Sequence, residues 1–241
     1  MTYQCAIIIP TYNEEKALEI QLLELLDVMS EKTLIIIVDD SLDSKSSKIA
    51  KKIFENQNNV GVNLRTIDSK SKTGRGDAVR RGLEIALEYK EINKFIESDA
   101  DGSHTPGDIE VIKNALANHN FVIGSRYLSA SLITGWPVSR KIFSKILNIL
   151  IPRIFRMKVS DCTNGLRAYD RSVVELMLKQ QCLTTGFIYL TESLIYLKGL
   201  GLTPREIPTT FINRKHGKST VGLKELAGSI SGIVKIWVKY R

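Results

Sequence analysis

The sequence predicts an α/β chain with a mostly parallel central sheet covered by helices on both faces. Three observations predict it. Short continuous apolar runs alternate with segments of helical apolar spacing. Each run ends in a polar cluster. No repeat, low-complexity tract or Pro/Ser-rich linker divides the 241 residues, so residues 1–241 read as one domain with a first part, 1–127, and a second part, 128–241.

Residues 5–9 form an apolar run closed by Pro10, a buried strand. Residues 14–29 place Ala17, Leu18, Leu22, Leu25 and Leu26 near helical spacing, with acids in the first turn, where the helix dipole favours them. A second buried strand, 34–38, runs into Asp39 and Asp40. A basic amphipathic helix is expected over 44–56, a short strand over 64–67 and a helix over 76–89, the last preceded by Thr73-Gly74-Arg75-Gly76. Strand 94–96, helix 107–117 and strand 121–124 complete the alternation. In such sheets ligands bind outside the carboxyl ends of the strands. Four polar clusters fall there: 10–14, 39–40, 99–103 and 125–127.

The second half differs in character. Residues 1–110 hold 14 Lys/Arg and 20 Asp/Glu, residues 111–241 hold 20 and 6, and the span 111–160 has eight basic residues and no acid. Such a surface expects polyanions: nucleic acid, a phosphorylated substrate or anionic lipid. Residues 139–156 set apolar positions 142, 146, 150, 154 and 143, 147, 151, 155 against Lys141, Lys145, Asn148 and Arg156. This pattern suits an amphipathic helix at an anionic membrane surface, or equally a stripe packed on the core. Pro152 is expected to kink or split it.

Composition narrows the rest. With 43% hydrophobic and 25% charged residues the chain is ordinary for a soluble protein. Cys5, Cys162 and Cys182 read as reduced thiols, neither a disulfide frame nor a zinc site, and His104, His119 and His216 are scattered. The chain enters an apolar strand within four residues, so no signal peptide is expected, and no run reaches the 18 or so apolar residues of a spanning helix. A cytoplasmic protein, peripheral on the cytoplasmic membrane face, is the expectation.

Asp99-Ala100-Asp101 carries the most chemistry. Two carboxylates one residue apart beyond a strand point the same way if the strand's period of two persists. They then suit one hard divalent cation, Mg²⁺ or Mn²⁺, bridging a diphosphate.

Together the clusters resemble the family 2 glycosyltransferases of the GT-A fold, and within them the dolichol-phosphate mannosyltransferase-like, polyprenyl-phosphate glycosyltransferase group. The resemblance rests on Ile9 to Glu14, Val38 to Ser41, Gly74-x-Gly-x-Ala78, the Asp99/Asp101 pair and Gly124-Ser-Arg-Tyr127. More specific are Gly135-Trp-Pro-x-Ser-Arg-Lys141, Asp161-x-Thr-Asn-Gly-Leu-Arg-Ala-Tyr169, and Glu206-Ile-Pro208 followed by Phe211-x-x-Arg214. It implies that Pro10, Tyr12, Glu14 and Asp39 or Asp40 hold the nucleoside of a GDP- or UDP-hexose. Asp99 and Asp101 would hold the metal and diphosphate, with Ser103 near the metal. Arg126, Arg140 and Arg214 would engage phosphates, with Ser144 and Lys218 on the acceptor side. The implied reaction is a single inverting displacement onto a polyprenyl phosphate, an acceptor already anionic and needing no general base.

Other readings stand beside these. Asp39-Asp40 suits a cap on the next helix, Asp161 a turn acid, and Tyr12 and Trp136 ordinary aromatics. Glu97 and Ser98 interrupt a usually apolar strand, Asp77 replaces a small neutral residue, Asn164 and Leu166 replace Ser and Phe, and Thr220 stands where the group carries Lys. Two rival functions follow: a transferase of the same fold acting on a saccharide or envelope hydroxyl with Glu192 as base, and a catalytically silent nucleotide-sugar-binding subunit. Nucleic acid is not expected as a partner, because no motif or stacking platform accompanies the basic half. A separate membrane-anchoring subunit is a further candidate partner.

Overall fold

A computed structural model describes residues 3–29, 32–56, 61–213 and 223–240 of the chain. The elements run β1 (Cys5–Thr11), α1 (Glu15–Val28), β2 (Thr33–Asp39), α2 (Lys45–Asn56), β3 (Val62–Asp68), α3 (Arg75–Leu87), β4 (Lys94–Glu97), α4 (Pro106–Ala115) and β5 (Phe121–Ser125). Then follow β6 (Leu132–Thr134), α5 (Val138–Ile154), β7 (Arg167–Asp170), α6 (Arg171–Lys179), α7 (Tyr189–Gly199), β8 (Arg205–Pro208), β9 (Thr210–Ile212) and α8 (Leu223–Lys239). Every strand and helix expected from the first half is present, with no end moved by more than two residues.

Seven strands pair in the order β3-β2-β1-β4-β7-β5-β8. All pairs are parallel except those of β7, which runs antiparallel between β4 and β5. The sheet is therefore mostly parallel, as expected, with one reversed strand wedged into its centre. β6 and β9 form a separate parallel pair.

Period-two alternation divides the apolar residues between two layers. Ile8, Ile36 and Val38 pack with Val79 and Leu83 of α3, Val173 and Met177 of α6 and Leu194 of α7. Ile7, Ile9, Ile35 and Ile37 pack on the other face with Leu18, Leu22 and Leu25 of α1, Ile53 of α2 and Ile109 of α4. Helices thus cover both faces.

Local signals set the helix starts near the strand ends. Thr105 accepts the Asp108 N–H at 3.1 Å, with Pro106 in the first turn of α4. Thr105→Ala is expected to cost about 1 kcal/mol of stability, read by denaturant unfolding. Asp170 caps α6 in the same way through Val173 N–H.

α5 departs from expectation in one respect. Pro152 does not split it. The proline falls in the last turn: it cannot donate an N–H to the carbonyl of residue 148, but only Arg153 and Ile154 follow it in the helix, so little chain is left to displace, and Arg156, at φ 51°, completes the stop. The apolar stripe divides: Ile151 and Phe155 are buried in the core with Leu147 packed against it, and the other row is exposed. Asn148, Ile151 and Pro152 face inward, while Val138, Ile142, Phe143, Ile146, Ile149, Leu150 and Ile154 are exposed.

Candidate active site

An open cleft of about 910 Å³ lies at the carboxyl ends of the strands. Pro10, Thr11, Tyr12 and Glu14 from the end of β1 line one wall. Asn13 adopts a left-handed φ of 54° and its N–H donates to Ser41 Oγ at 2.8 Å, which ties this turn to the end of β2. The Lys72 ammonium lies 4.8 Å from the centre of the Tyr12 ring.

Of the two acids at the end of β2, only Asp40 lines the cleft. Asp39 is fully buried and accepts the N–H groups of Ser41 (2.9 Å) and Ser47 (3.0 Å), so it caps the first turn of α2. Asp40 accepts from Ser69 Oγ, Arg81 Nη2, Thr73 N–H, Thr73 Oγ1 and Gly74 N–H. Burial pushes its pKa up, but these bonds outweigh burial and hold the carboxyl below its ordinary value. The acid thereby fixes the loop before α3. Gly74, at φ 107°, lies so close to Thr185 that an added Cβ would sit 2.6 Å from its carbonyl oxygen. A Cβ on Gly76 would sit 2.5 Å from the Tyr189 ring. Those two glycines let the segment before α7 close over the loop, and Phe187 of that segment lines the cleft.

The carboxylate pair lies beyond the end of β4, so strand alternation is not what aligns it: residues 100 and 101 are already in a turn. Both acids nonetheless line the cleft. Asp99 Oδ1 accepts from Arg75 Nε at 2.9 Å. The same guanidinium pairs with Glu97 Oε2 at 3.2 Å and donates to the Gly165 carbonyl at 3.1 Å. This explains Glu97 on a buried strand: Arg75 neutralises it, and Tyr169 donates its hydroxyl to Oε1 at 2.9 Å. Burial lowers the Arg75 pKa, but Asp99 and Glu97 outweigh burial and keep the guanidinium charged.

His104 is buried beneath the turn. Its Nδ1 accepts the Asp99 N–H at 3.3 Å, which places the proton on Nε2, 3.1 Å from Asn164 Oδ1. Asp101 Oδ1 accepts the Ser103 N–H at 3.1 Å. The Ser103 side chain is fully buried, lies off the cleft, and has no hydrogen-bond partner among the described residues. Among the described residues no three His, Cys, Asp or Glu side chains gather as a metal cluster. Two hard carboxylates on one turn fit Mg²⁺ or Mn²⁺ when a ligand's phosphates and water complete the shell.

Two arginines line the cleft from the second half. Arg126, just past β5, makes a two-pronged pair with buried Asp161 (Nε–Oδ2 2.7 Å, Nη2–Oδ1 2.8 Å) and also reaches Thr163 Oγ1 at 2.7 Å. Nη1 carries no hydrogen bond among the described residues. Burial raises the Asp161 pKa, but Arg126 and the Thr163 N–H outweigh burial and bring it below the ordinary value. The Arg126 guanidinium also lies 5.4 Å from the ring centres of both Trp136 and Phe211. Arg140, in the first turn of α5, stacks on Trp136 at 4.0 Å and reaches Asn213 Oδ1 at 3.3 Å.

Not every expected residue is found at the cleft. Ser144 lies off it, accepting the Tyr127 hydroxyl at 2.6 Å. Arg214 and Lys218 lie outside the described residues. Glu192 is fully buried away from the cleft and accepts Leu183 N–H, Thr184 N–H and Thr184 Oγ1, which removes it as a candidate base. Conversely, Lys72 and Phe187 line the cleft without having been singled out, and Arg75, Thr163, Asn164 and Gly165 line it although they entered only as parts of motifs, with no role at the site. Arg75 had a signal, since a long cation between two close-packed glycines faces whatever the loop holds.

A parallel sheet with a reversed strand, a carboxylate turn and arginines across one cleft are the features of a nucleotide-sugar transferase. Residues 6–178 match the model of glycosyl transferase family 2, and the chain belongs to that family. It is 31% identical over 226 residues to the undecaprenyl-phosphate mannosyltransferase of Micrococcus luteus, covering 93% of this chain and 88% of the relative. Polyprenol monophosphomannose synthase of Mycolicibacterium smegmatis is 28% identical over 229 residues, covering 95% and 83%. Among solved structures, glucosyl-3-phosphoglycerate synthase from Mycobacterium tuberculosis with Mn²⁺, UDP and phosphoglyceric acid superposes with a TM-score of 0.66. It is 16% identical, covers 99% of this chain and 78% of its own, and confirms the GT-A fold. A second structure of that enzyme, with Mg²⁺ and UDP, gives 0.64 at 16% identity, covering 99% and 79%.

Proposed function

We propose that this glycosyltransferase moves a hexosyl group of mannose or glucose type from a GDP- or UDP-sugar to a polyprenyl phosphate at the cytoplasmic face of a membrane. One observation carries the reading: a single cleft sets Asp99 and Asp101 on one wall and Arg126 and Arg140 on another. The names of the two mannosyltransferase relatives support the acceptor class.

Pro10, Tyr12, Glu14 and Asp40 would border the nucleoside. Asp99 and Asp101 would hold Mg²⁺ or Mn²⁺, which supplies positive charge to the diphosphate when bound. Arg126 and Arg140 would orient two anions, the acceptor phosphate and the departing diphosphate, with the fork geometry that suits phosphate oxygens. The acceptor oxygen forms its bond to the anomeric carbon as the bond from that carbon to the β-phosphate oxygen breaks, with inversion. No general base is required, which agrees with the burial of Glu192.

The outward stripe of α5, flanked by exposed Lys141, Lys145 and Arg153, supports attachment to an anionic bilayer, as do the exposed Val234, Trp237 and Val238 of α8. Among the described residues no helix is long and apolar enough to cross a membrane. The chain is expected to sediment with anionic vesicles at low salt and to be released as salt rises. A double variant, Ile146→Asp with Leu150→Asp, should weaken binding. No binding at low salt would leave a separate membrane subunit as the anchor.

The test of function is nucleoside diphosphate release with Mn²⁺ or Mg²⁺, a panel of GDP- and UDP-sugars, and a short polyprenyl phosphate present or absent. Release that requires the lipid phosphate upholds the proposal. Release indifferent to it moves the acceptor elsewhere, and no release with any donor favours a silent subunit.

A further inference from the structure

We propose that Phe211 is a positioning residue that sets the carboxylate turn and the arginine pair at once. It is a hydrophobic side chain, 7% exposed, at the cleft edge. On one side its ring meets His104 edge-on, with centroids 5.6 Å apart. On the other it meets Trp136 edge-on at 5.1 Å, and the Arg126 guanidinium lies 5.4 Å from its centre. A single ring therefore touches the imidazole that holds the Asp99 N–H, the indole under Arg140, and Arg126 itself.

The backbone makes the same connection. Phe211 forms an isolated antiparallel bridge with His104, and the Ile212 N–H donates to the Ser103 carbonyl at 3.1 Å. In β6, Ile133 stands opposite Phe211, two residues before the turn that leads to Trp136. Thr210 N–H donates to Asp108 Oδ2 at 2.9 Å, which pins the start of β9 to α4. The two-stranded sheet thus carries this ring between the two walls.

The chemistry explains why an aromatic ring is needed. Asp161 holds Arg126 by its edge, and that contact alone leaves the guanidinium free to tilt about the carboxylate. The negative ring faces of Phe211 and Trp136 limit the tilt without adding a competing charge. A carboxylate in their place would neutralise the cation that the proposed function needs for phosphate. On the other side, the ring packs against the imidazole and holds Nδ1 towards the Asp99 N–H, so the turn's backbone, rather than its carboxylates, is what Phe211 fixes. The inference rests on the proposed roles of Arg126 and the Asp99 turn, and makes Phe211 the element the two share.

The test measures two dissociation constants by calorimetry on the full chain: GDP or UDP with Mn²⁺, and a short isoprenyl monophosphate. Phe211→Leu removes the ring while keeping a buried apolar side chain, with Phe211→Met as the substitute should the leucine variant fold poorly. Phe155→Leu, which removes a ring from the core away from the cleft, controls for lost stability. Both constants are expected to worsen in the Phe211 variants, that of the isoprenyl phosphate about two- to thirtyfold, the range a lost cation–π contact spans. In Phe155→Leu neither should move. A Phe211 variant with either constant at the wild-type value overturns the proposal, as does an equal loss in Phe155→Leu. A wild-type chain that binds the nucleotide but not the isoprenyl phosphate instead overturns the acceptor assignment, and is read before any variant is made.

Discussion

Asp101→Ala is expected to abolish sugar transfer, lowering turnover on the order of 10²–10³-fold or more, the loss typical when one group that stabilises developing charge is removed. Asp101 suits this test better than Asp99. Asp99 is tied into the Arg75–Glu97 ion pairs, so its removal would also leave a buried arginine with one fewer partner. The Asp101 carboxylate accepts the Ser103 N–H at the rim of the turn, and cutting it back leaves the core intact. Nucleoside diphosphate release measures the loss. Titration of Mn²⁺ in the presence of nucleotide, followed by paramagnetic resonance, should show weakened metal binding in parallel. A variant with near-normal turnover would remove the carboxylate pair from the mechanism.

The largest stability effect is expected at Asp161. Its removal as Asp161→Ala leaves the Arg126 guanidinium buried without its carboxylate, and a broken buried pair costs about 3–5 kcal/mol. Urea unfolding of the two proteins at pH 7 measures it. The pH dependence follows from the depressed native pKa of Asp161. In the unfolded chain the carboxyl titrates near about 3.9, whereas the native protein holds it ionised to lower pH. The stability it contributes is therefore fully present above the unfolded value and is lost as pH falls through the native one. Asp161→Asn should flatten the acid limb of the stability curve by that amount and leave its slope above pH 5 unchanged.

The sequence made the first half legible because its signals are local. Buried strands such as β1 and β2 are continuous Ile/Val runs, and the helices between them carry apolar stripes at their own spacing. β7 was not legible. Arg-Ala-Tyr-Asp is short, and its partners lie more than 40 residues away, so only the packed sheet reveals the reversal. At the site, residue type announced the carboxylates and arginines, but the division of labour between neighbours was hidden. Asp39 and Asp40 look equivalent in sequence, yet the end of β2 sends one into the first turn of α2 and the other to the cleft. Glu97 reads as a defect until Arg75 and Tyr169, from two other elements, are placed around it. The apolar positions of α5 have the same spacing whether they face in or out, and only the packed structure divides them, with Ile151 and Phe155 inward and Ile142, Ile146 and Leu150 outward.

The reversed strand β7 also acts as a ruler. Because it separates β4 from β5, the strand ends that deliver Asp99 and Arg126 stand two inter-strand steps apart, roughly 10 Å at backbone level. Neighbouring strands would have crowded acid and base into a mutual salt bridge and closed the gap between them. Instead each finds a structural counter-ion of its own, Arg75 for the one and Asp161 for the other, and both walls stay in place. Swapping loops on this scaffold to change the sugar or the lipid should therefore leave the span unaltered, whereas any redesign of residues 167–170 would recalibrate it.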